Sequence, residues 1–496
     1  MTGVQTCALP ILNDIAAKKS APRVLILGLD GVGHDLLGRF AAEGVCPNLA
    51  ALADRGALGP LASTVPPTTF PAWTSFFTGA RPSSHGVGDF TVREGYRVRF
   101  VGARDRALPT LLAHLEACGL TASAAWFPVT YPPERLRGYQ IAGWDSPVTH
   151  RGDATFVHPP ALHRELAAAF GGDHLAFSVV DEFADTDGWY REAAAGLVRR
   201  VERRAQIARY LLARHPTDVA AFYFGEADTA AHHFWAFHDP TSPRRPAEVP
   251  PELAGALAGV YRALDAAVGD LVDAAGAGAA VVVLSDHGSG GAADVALHLN
   301  RALADAGLLR FAPPRTAAPG PRALRSALPR LVPRGLRRTL FRLGGGVAPA
   351  AAESYARFAG IDWAGTRAFS EELTYAPSVW INQLGREPRG RVRFRDREAV
   401  LRAAADCLAD LTLDDGRALV RRAIPREELH AGPLAHRFPD LVIELDEVDG
   451  HTPVCLPSEG RSGPAVSRLA GDELLGRKGR SMPGCHTPFG DRKSVV

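Results

Sequence analysis

Seven side chains of this sequence could do chemistry together: Asp30, Thr69, Asp228, His232, Asp286, His287 and His486. Three carboxylates and three imidazoles, with no thiolate among them, make two sets of mixed oxygen and nitrogen ligands. Such sets suit zinc first and manganese or iron after it. Two divalent ions roughly 4 Å apart can clamp the attacking and leaving oxygens of an in-line displacement. One of them can also hold a threonine oxygen as the nucleophile that free threonine does not supply at neutral pH. Each piece has a plainer reading alone. Asp286-His287-Gly288 can be a turn, Asp228 with His232 a helix-start pair, His486 a structural histidine and Thr69 a helix cap. Order and placement along the chain set the group apart.

The elements that must position these groups are legible as patterns. Val24–Leu29 (VLILGL) is a continuous apolar run of the kind buried in a parallel sheet, and it delivers Asp30 at its carboxyl end. Val219–Phe224 (VAAFYF) runs into the segment holding Asp228 and His232, four residues apart and so on one face of a helix. Ala280–Leu284 (AVVVL) ends in Ser285-Asp286-His287-Gly288. Open α/β sheets bind ligands at the carboxyl ends of their strands. Thr69 stands in Gly59–Asp89, after Pro66 and Pro67 and before Pro71. The pattern predicts a helix starting near Pro71 and stopped by Thr78-Gly79, with Thr69 at its positive end, where an alkoxide or a phosphate is favoured.

Further helices are expected over Asp35–Gly56 with a break at Pro47, Leu108–Gly119, Trp189–His215, Glu252–Ala274 and Glu398–Leu411. The arginines of Trp189–His215 read as a solvated face. Alternating strands and helices indicate an α/β protein with a doubly wound, mostly parallel sheet flanked by helices. Between Phe311 and Ala350 there are eight arginines, seven prolines and no acidic residue. This stretch reads as an inserted cap over the site, or as a basic surface for an anionic substrate or lipid.

The bulk composition fits a globular chain: 496 residues, 46% hydrophobic and 22% charged, with a net charge of +2 that gives no general pull toward nucleic acid. Of 56 basic residues 52 are arginine, and the six cysteines have no CxxC spacing, so neither a disulfide framework nor a thiolate metal site is expected. Residues 1–11 and 491–496 read as adapter-derived, non-native ends, and are set aside. The remainder is expected to divide into a first part of the catalytic core (12–310), a cap (311–400) and a returning, C-terminally truncated core segment (401–490).

From Val24 to Gly490 the chain resembles the alkaline phosphatase superfamily, in its type I phosphodiesterase/nucleotide pyrophosphatase branch and a prokaryotic subgroup of predicted phosphohydrolases and phosphomutases. VLILGLD, PPTTFPAWTSFFTG, VTYPP (129–133), DTAAHHFW, SDHG and GCHTP carry the likeness. It implies that Asp30, Thr69, Asp286 and His287 hold one divalent ion and Asp228, His232 and His486 a second, Zn2+ first and Mn2+ as the alternative. It also implies that Thr69 is the nucleophile. Ala72 departs from the branch, where an Asn contacts a phosphate oxygen, so one donor is unassigned. Thr69 speaks against a sulfatase, whose nucleophile derives from Cys or Ser.

The expected activity is hydrolysis of phosphoric esters through a phospho-threonine intermediate. The rivals are a phosphomutase or phosphomonoesterase of the same superfamily, and a catalytically weak protein bound at a membrane surface. The expected partner is a small nucleotide, lipid or sugar phosphate ester, with no specific nucleic-acid binding and a weak membrane contact through 311–350. The expected compartment is the cytoplasm.

Overall fold

A computed structural model describes residues 24–143, 153–172, 175, 188–313, 347–476 and 481–488. Strand β1 (Val24–Leu29) is followed by a hairpin, β2 (Thr91–Glu94) and β3 (Arg97–Phe100). Then come β4 (Ala122–Ala125), β5 (Gln140–Ile141), β6 (Val157–His158), β7 (Val219–Phe224) and β8 (Ala280–Leu284). All but the hairpin form one sheet in the order β6-β5-β4-β7-β1-β8, parallel except at β6. The apolar runs of β1 and β7 are buried along their length because helices cover both faces of a parallel sheet. β8 is the edge strand and stays half-exposed.

The topology fixes the site. β7, β1 and β8 are neighbours and parallel, so their carboxyl ends lie side by side. Strands lie about 4.8 Å apart. Residues just past those three ends, Asp30, the Glu226–His238 helix and Asp286-His287, are thereby brought within reach of one another.

From the end of β8 the chain enters β9 (Gly288–Leu297). A second sheet follows, made of β10 (Ala368–Phe369), β11 (Ser378–Ile381), β12 (Val420–Pro425) and β13 (Leu441–Leu445), antiparallel in the order β10-β11-β13-β12. It has its own apolar core, including Leu303, Phe369, Val379, Val400 and Ile443. β14 (Thr452–Cys455), β15 (Val466–Arg468) and β16 (Gly484–Thr487) all pair with β9. β9 therefore links the carboxyl end of the central sheet to the second core, to which Val295 and Leu297 belong.

Several expectations shift. The helix predicted from Pro71 starts two residues earlier and spans Thr69–Thr78, closed by Gly79 in the left-handed conformation. The helix expected over Glu252–Ala274 is two, Pro251–Ala254 and Ala256–Ala275. The Trp189–Arg214 helix is not solvated at every arginine: Arg204 is buried, and it and Arg200 meet the buried Glu226. Strands on both sides of residue 400 belong to one sheet, so a boundary drawn there runs through the second core. Most of the basic stretch 311–350, expected as a cap, lies outside the described residues.

Candidate active site

All seven residues singled out from the sequence meet at the carboxyl end of the central sheet, in two clusters. Asp30, Asp286 and His287 offer ligand atoms within 4.8 Å of one another, and so do Asp228, His232 and His486. Gly31 lets the chain turn after β1, with φ of +69°, and a Cβ there would press on Asp228.

In the first cluster His287 Nε2 lies 3.3 Å from Asp30 Oδ1, 3.3 Å from Asp286 Oδ2 and 3.2 Å from Thr69 Oγ1. In the second, His232 Nε2 lies 3.1 Å from Asp228 Oδ1 and 3.0 Å from His486 Nε2, which is 3.4 Å from the same Asp228 oxygen. Zinc bonds of 2.0–2.1 Å at tetrahedral angles imply ligand separations of about 3.3 Å. In the first cluster the separations from His287 Nε2 to the other three donors, Thr69 included, match that value. The second cluster offers three donors, the number that leaves a coordination position for substrate.

Proton bookkeeping makes the fit sharper. Nδ1 of His232, His287 and His486 lies 2.8–3.0 Å from the carbonyl of Gly484, Gly288 and Pro67 respectively. A carbonyl only accepts, so each Nδ1 carries a proton, and in the neutral imidazole each Nε2 then turns a lone pair inward. His232 and His486 therefore point lone pairs at each other across 3.0 Å. Asp30 Oδ1, Asp228 Oδ1 and Asp286 Oδ2 are buried with no hydrogen-bond donor. Converging lone pairs and orphaned carboxylate oxygens are repulsive unless cations lie among them. The residues present fit two divalent ions.

The other oxygens of Asp30 and Asp286 are held by the protein. Asp30 Oδ2 accepts from Tyr223 Oη at 2.5 Å and Trp73 Nε1 at 3.1 Å, and the Gly31 amide donates to Asp286 Oδ1. Burial, with Asp228 nearby, pushes the Asp30 carboxyl up to about 8 despite those two donors. Burial, then Asp30 and Asp228, push Asp286 up as well. Burial, reinforced by His486, lowers the His287 imidazole to about 3, and burial lowers His486 too, against the pull of Asp228. Against its burial, Asp228 is held well below the usual carboxylate range by His232 and His486. Two raised carboxyls beside two imidazoles that favour their neutral form are the pattern of a cation site.

Thr69 is the first residue of its helix and is buried; its neighbour Thr68 turns its hydroxyl to the Pro66 carbonyl instead. Ala72 is also buried and brings no donor. The sequence reading missed the supporting residues Trp73, Tyr223 and Tyr375. Tyr223, in VAAFYF, and Trp73, in FPAW, look like ordinary core aromatics until the sheet places them under Asp30. Tyr375 comes from the second part of the chain, and nothing in its surrounding sequence points to the site. The ring of Tyr375 stacks on His486 with centroids 4.5 Å apart.

A family model described as type I phosphodiesterase/nucleotide pyrophosphatase matches residues 24–448. The crystal structure of phosphonoacetate hydrolase from Sinorhizobium meliloti 1021 with phosphonoformate is similar at 15% identity and a TM-score of 0.50, covering 94% of this chain and 87% of that one. Its complex with phosphonoacetate gives 14% identity and a TM-score of 0.49, with the same coverage. At such identity the first likeness is one of fold. Comparison with curated proteins gives no match.

Proposed function

Because the chain belongs to the type I phosphodiesterase/nucleotide pyrophosphatase family of the alkaline phosphatase superfamily, and so hydrolyses phosphoric ester bonds, we propose that it cleaves small phosphodiesters through a covalent phospho-threonine at Thr69. Asp30, Asp286, His287 and Thr69 would hold one divalent ion, and Asp228, His232 and His486 a second. Zn2+ fits the mixed donors best and Mn2+ is the alternative. When bound, the ions supply charge for the phosphoryl oxygens and for the attacking and leaving oxygens.

The chain's own residues do the rest. The N-terminus of the Thr69–Thr78 helix places the positive end of its dipole at the Thr69 hydroxyl, which favours oxyanion character there and an anionic phosphoryl group beside it. Thr69 Oγ1 gives up its proton and forms the new bond to phosphorus, the bond to one alkoxy group breaks, and that group leaves as an alcohol with the proton Thr69 released. Water then attacks the phosphorus of phospho-Thr69, the bond to Oγ1 breaks, and a phosphomonoester departs with Thr69 restored. Tyr223 and Trp73 hold Asp30 in one rotamer, and the Gly484, Gly288 and Pro67 carbonyls fix the three imidazole tautomers. The substrate is a small nucleotide, lipid or sugar diester. Ala72 offers no side-chain donor to a phosphate oxygen, so the reading does not rest on nucleotides.

The facing lone pairs of His232 and His486 carry this reading. Its test is a panel of p-nitrophenyl mono- and diesters assayed with zinc and with manganese. Diester cleavage that a chelator abolishes and metal restores is the expected result. Chelator-resistant turnover, or exclusive monoester cleavage, would overturn it.

A further inference from the structure

The second metal cluster borrows its walls from the other half of the molecule. His486 lies between two rings. His287 is on one side, with centroids 3.8 Å apart and planes 23° from parallel, and Tyr375 is 4.5 Å away at 13°. Two near-parallel rings this close cannot share one face of an imidazole, so His486 is sandwiched. Tyr375 also touches the His232 ring, with centroids 5.0 Å apart. One aromatic side chain thus contacts both imidazoles of the cluster, although it belongs to the segment leading into β11 of the second sheet.

That segment is pinned with care. Glu372 adopts φ of +53°, a conformation L side chains rarely take. Its buried carboxylate accepts from the amides of Asn300 and Ser458 at 2.9 and 2.6 Å, and from the Ser458 hydroxyl. Asn300 also exchanges two hydrogen bonds with the Ser370 backbone, and the Thr374 hydroxyl donates to the Cys455 carbonyl. A strained residue held by this many bonds implies that what it presents is needed there. What it presents is Tyr375.

Resting on the two-metal reading above, we infer that Tyr375 is a positioning residue for the second metal ion, and that Glu372 sets Tyr375 in place. His486 approaches on β16, whose partner among the described residues is β9, and one hydrogen bond to Pro67 fixes its Nδ1. That bond leaves rotation about the side chain's own axis to be limited by what lies on its faces. The segment leading into the second sheet thereby takes part in the metal centre through stacking on its imidazoles. Outer residues that orient a metal-bound histidine typically change affinity by about 10- to 100-fold.

The experiment is zinc titration of the full chain against a chromophoric chelator, for the wild type and for Tyr375→Phe, Tyr375→Ala and Glu372→Gln, with far-UV circular dichroism as the check on folding. The wild type should take up two ions. Tyr375→Phe keeps the ring and should match it. Tyr375→Ala should retain one tight ion and weaken the other by about 10-fold or more, with Glu372→Gln falling between. A folded Tyr375→Ala protein that binds both ions as the wild type does would overturn the inference while leaving the two-metal reading intact. A wild type that binds fewer than two ions would overturn both. If Tyr375→Ala does not fold, Tyr375→Leu, which keeps bulk without the stack, takes its place under the same criteria.

Discussion

Asp30, Asp286 and His287 stand at the ends of neighbouring strands of one parallel sheet, whereas Asp228, His232 and His486 are gathered from a helix and from β16, far along the chain. In the first cluster the backbone does the positioning: β1 and β8 are in register, the Gly31 amide holds Asp286, and the aromatic floor of Trp73 and Tyr223 grips Asp30. In the second, positioning is delegated to clamps. Gly484 lies so close to the Ala231 carbonyl that a Cβ would collide with it. Arg244 is fully buried and donates to the Ser481 and Met482 carbonyls, just ahead of β16, and to Ala293 on β9. Tyr375 closes the stack. The same chemistry can thus be built from a sheet edge or from separate parts tied together, and the tied version should fail first when a tie is cut.

The largest expected effect lies at Thr69, the proposed nucleophile, whose helix places it beside the sheet-built cluster. Thr69→Ala should keep the fold and lose about three orders of magnitude or more in turnover, while Thr68→Ala should stay within a few-fold. Steady-state rates on the best diester decide it, and the reverse ranking would assign the chemistry to the wrong threonine. Next comes the clamp. Arg244→Ala leaves three buried carbonyls without donors, at about 1–3 kcal/mol each. Urea unfolding should show a loss of about 3 kcal/mol or more, and metal content should fall toward one ion. Wild-type stability with both ions retained would remove the contrast between the two clusters.

Tyr223→Phe should act on the first cluster alone. It removes the 2.5 Å bond to Asp30 and keeps the ring, so one ion should bind about 10- to 100-fold more weakly in chelator competition. Equal weakening of both ions would mean the clusters are not separable in this way. The last effect concerns pH. Burial raises the Glu372 carboxyl from the ordinary 4.5 to about 7 against the pull of its donors. The folded state then binds the proton more tightly than the unfolded one, so this group's contribution to stability is complete below pH 4.5 and declines as pH rises through 7. Melting temperatures of the wild type relative to Glu372→Gln should fall across that window and level off above it. A difference independent of pH would refute the buried-carboxyl account.

Much of the first cluster is legible in the sequence because it is local. A buried strand that ends in Asp30, and another that ends in Asp286-His287, announce both the element and the ligand in one run of residues. The Asp228–His232 spacing does the same for a helix face. His486 was nameable only through the resemblance of GCHTP, since no periodicity leads to it and the family match itself ends at residue 448. The helix start was displaced to Thr69 because Pro71 is tolerated throughout the first turn, where its missing amide has no partner to lose. The second sheet was cut at residue 400 because its strands are short and pair across long gaps, from Ala368 to Leu445. Tyr375, Arg244 and Glu372 left no signal at all, since their roles arise from contacts with residues tens to hundreds of positions away.

The most direct test of the two-metal claim is anomalous diffraction at the zinc edge from a zinc-loaded crystal. Two peaks should appear, roughly 4 Å apart, one against Asp30, Asp286, His287 and the Thr69 hydroxyl, the other against Asp228, His232 and His486. A single peak, or zinc held elsewhere while these six carboxylates and imidazoles remain unligated, would contradict the account.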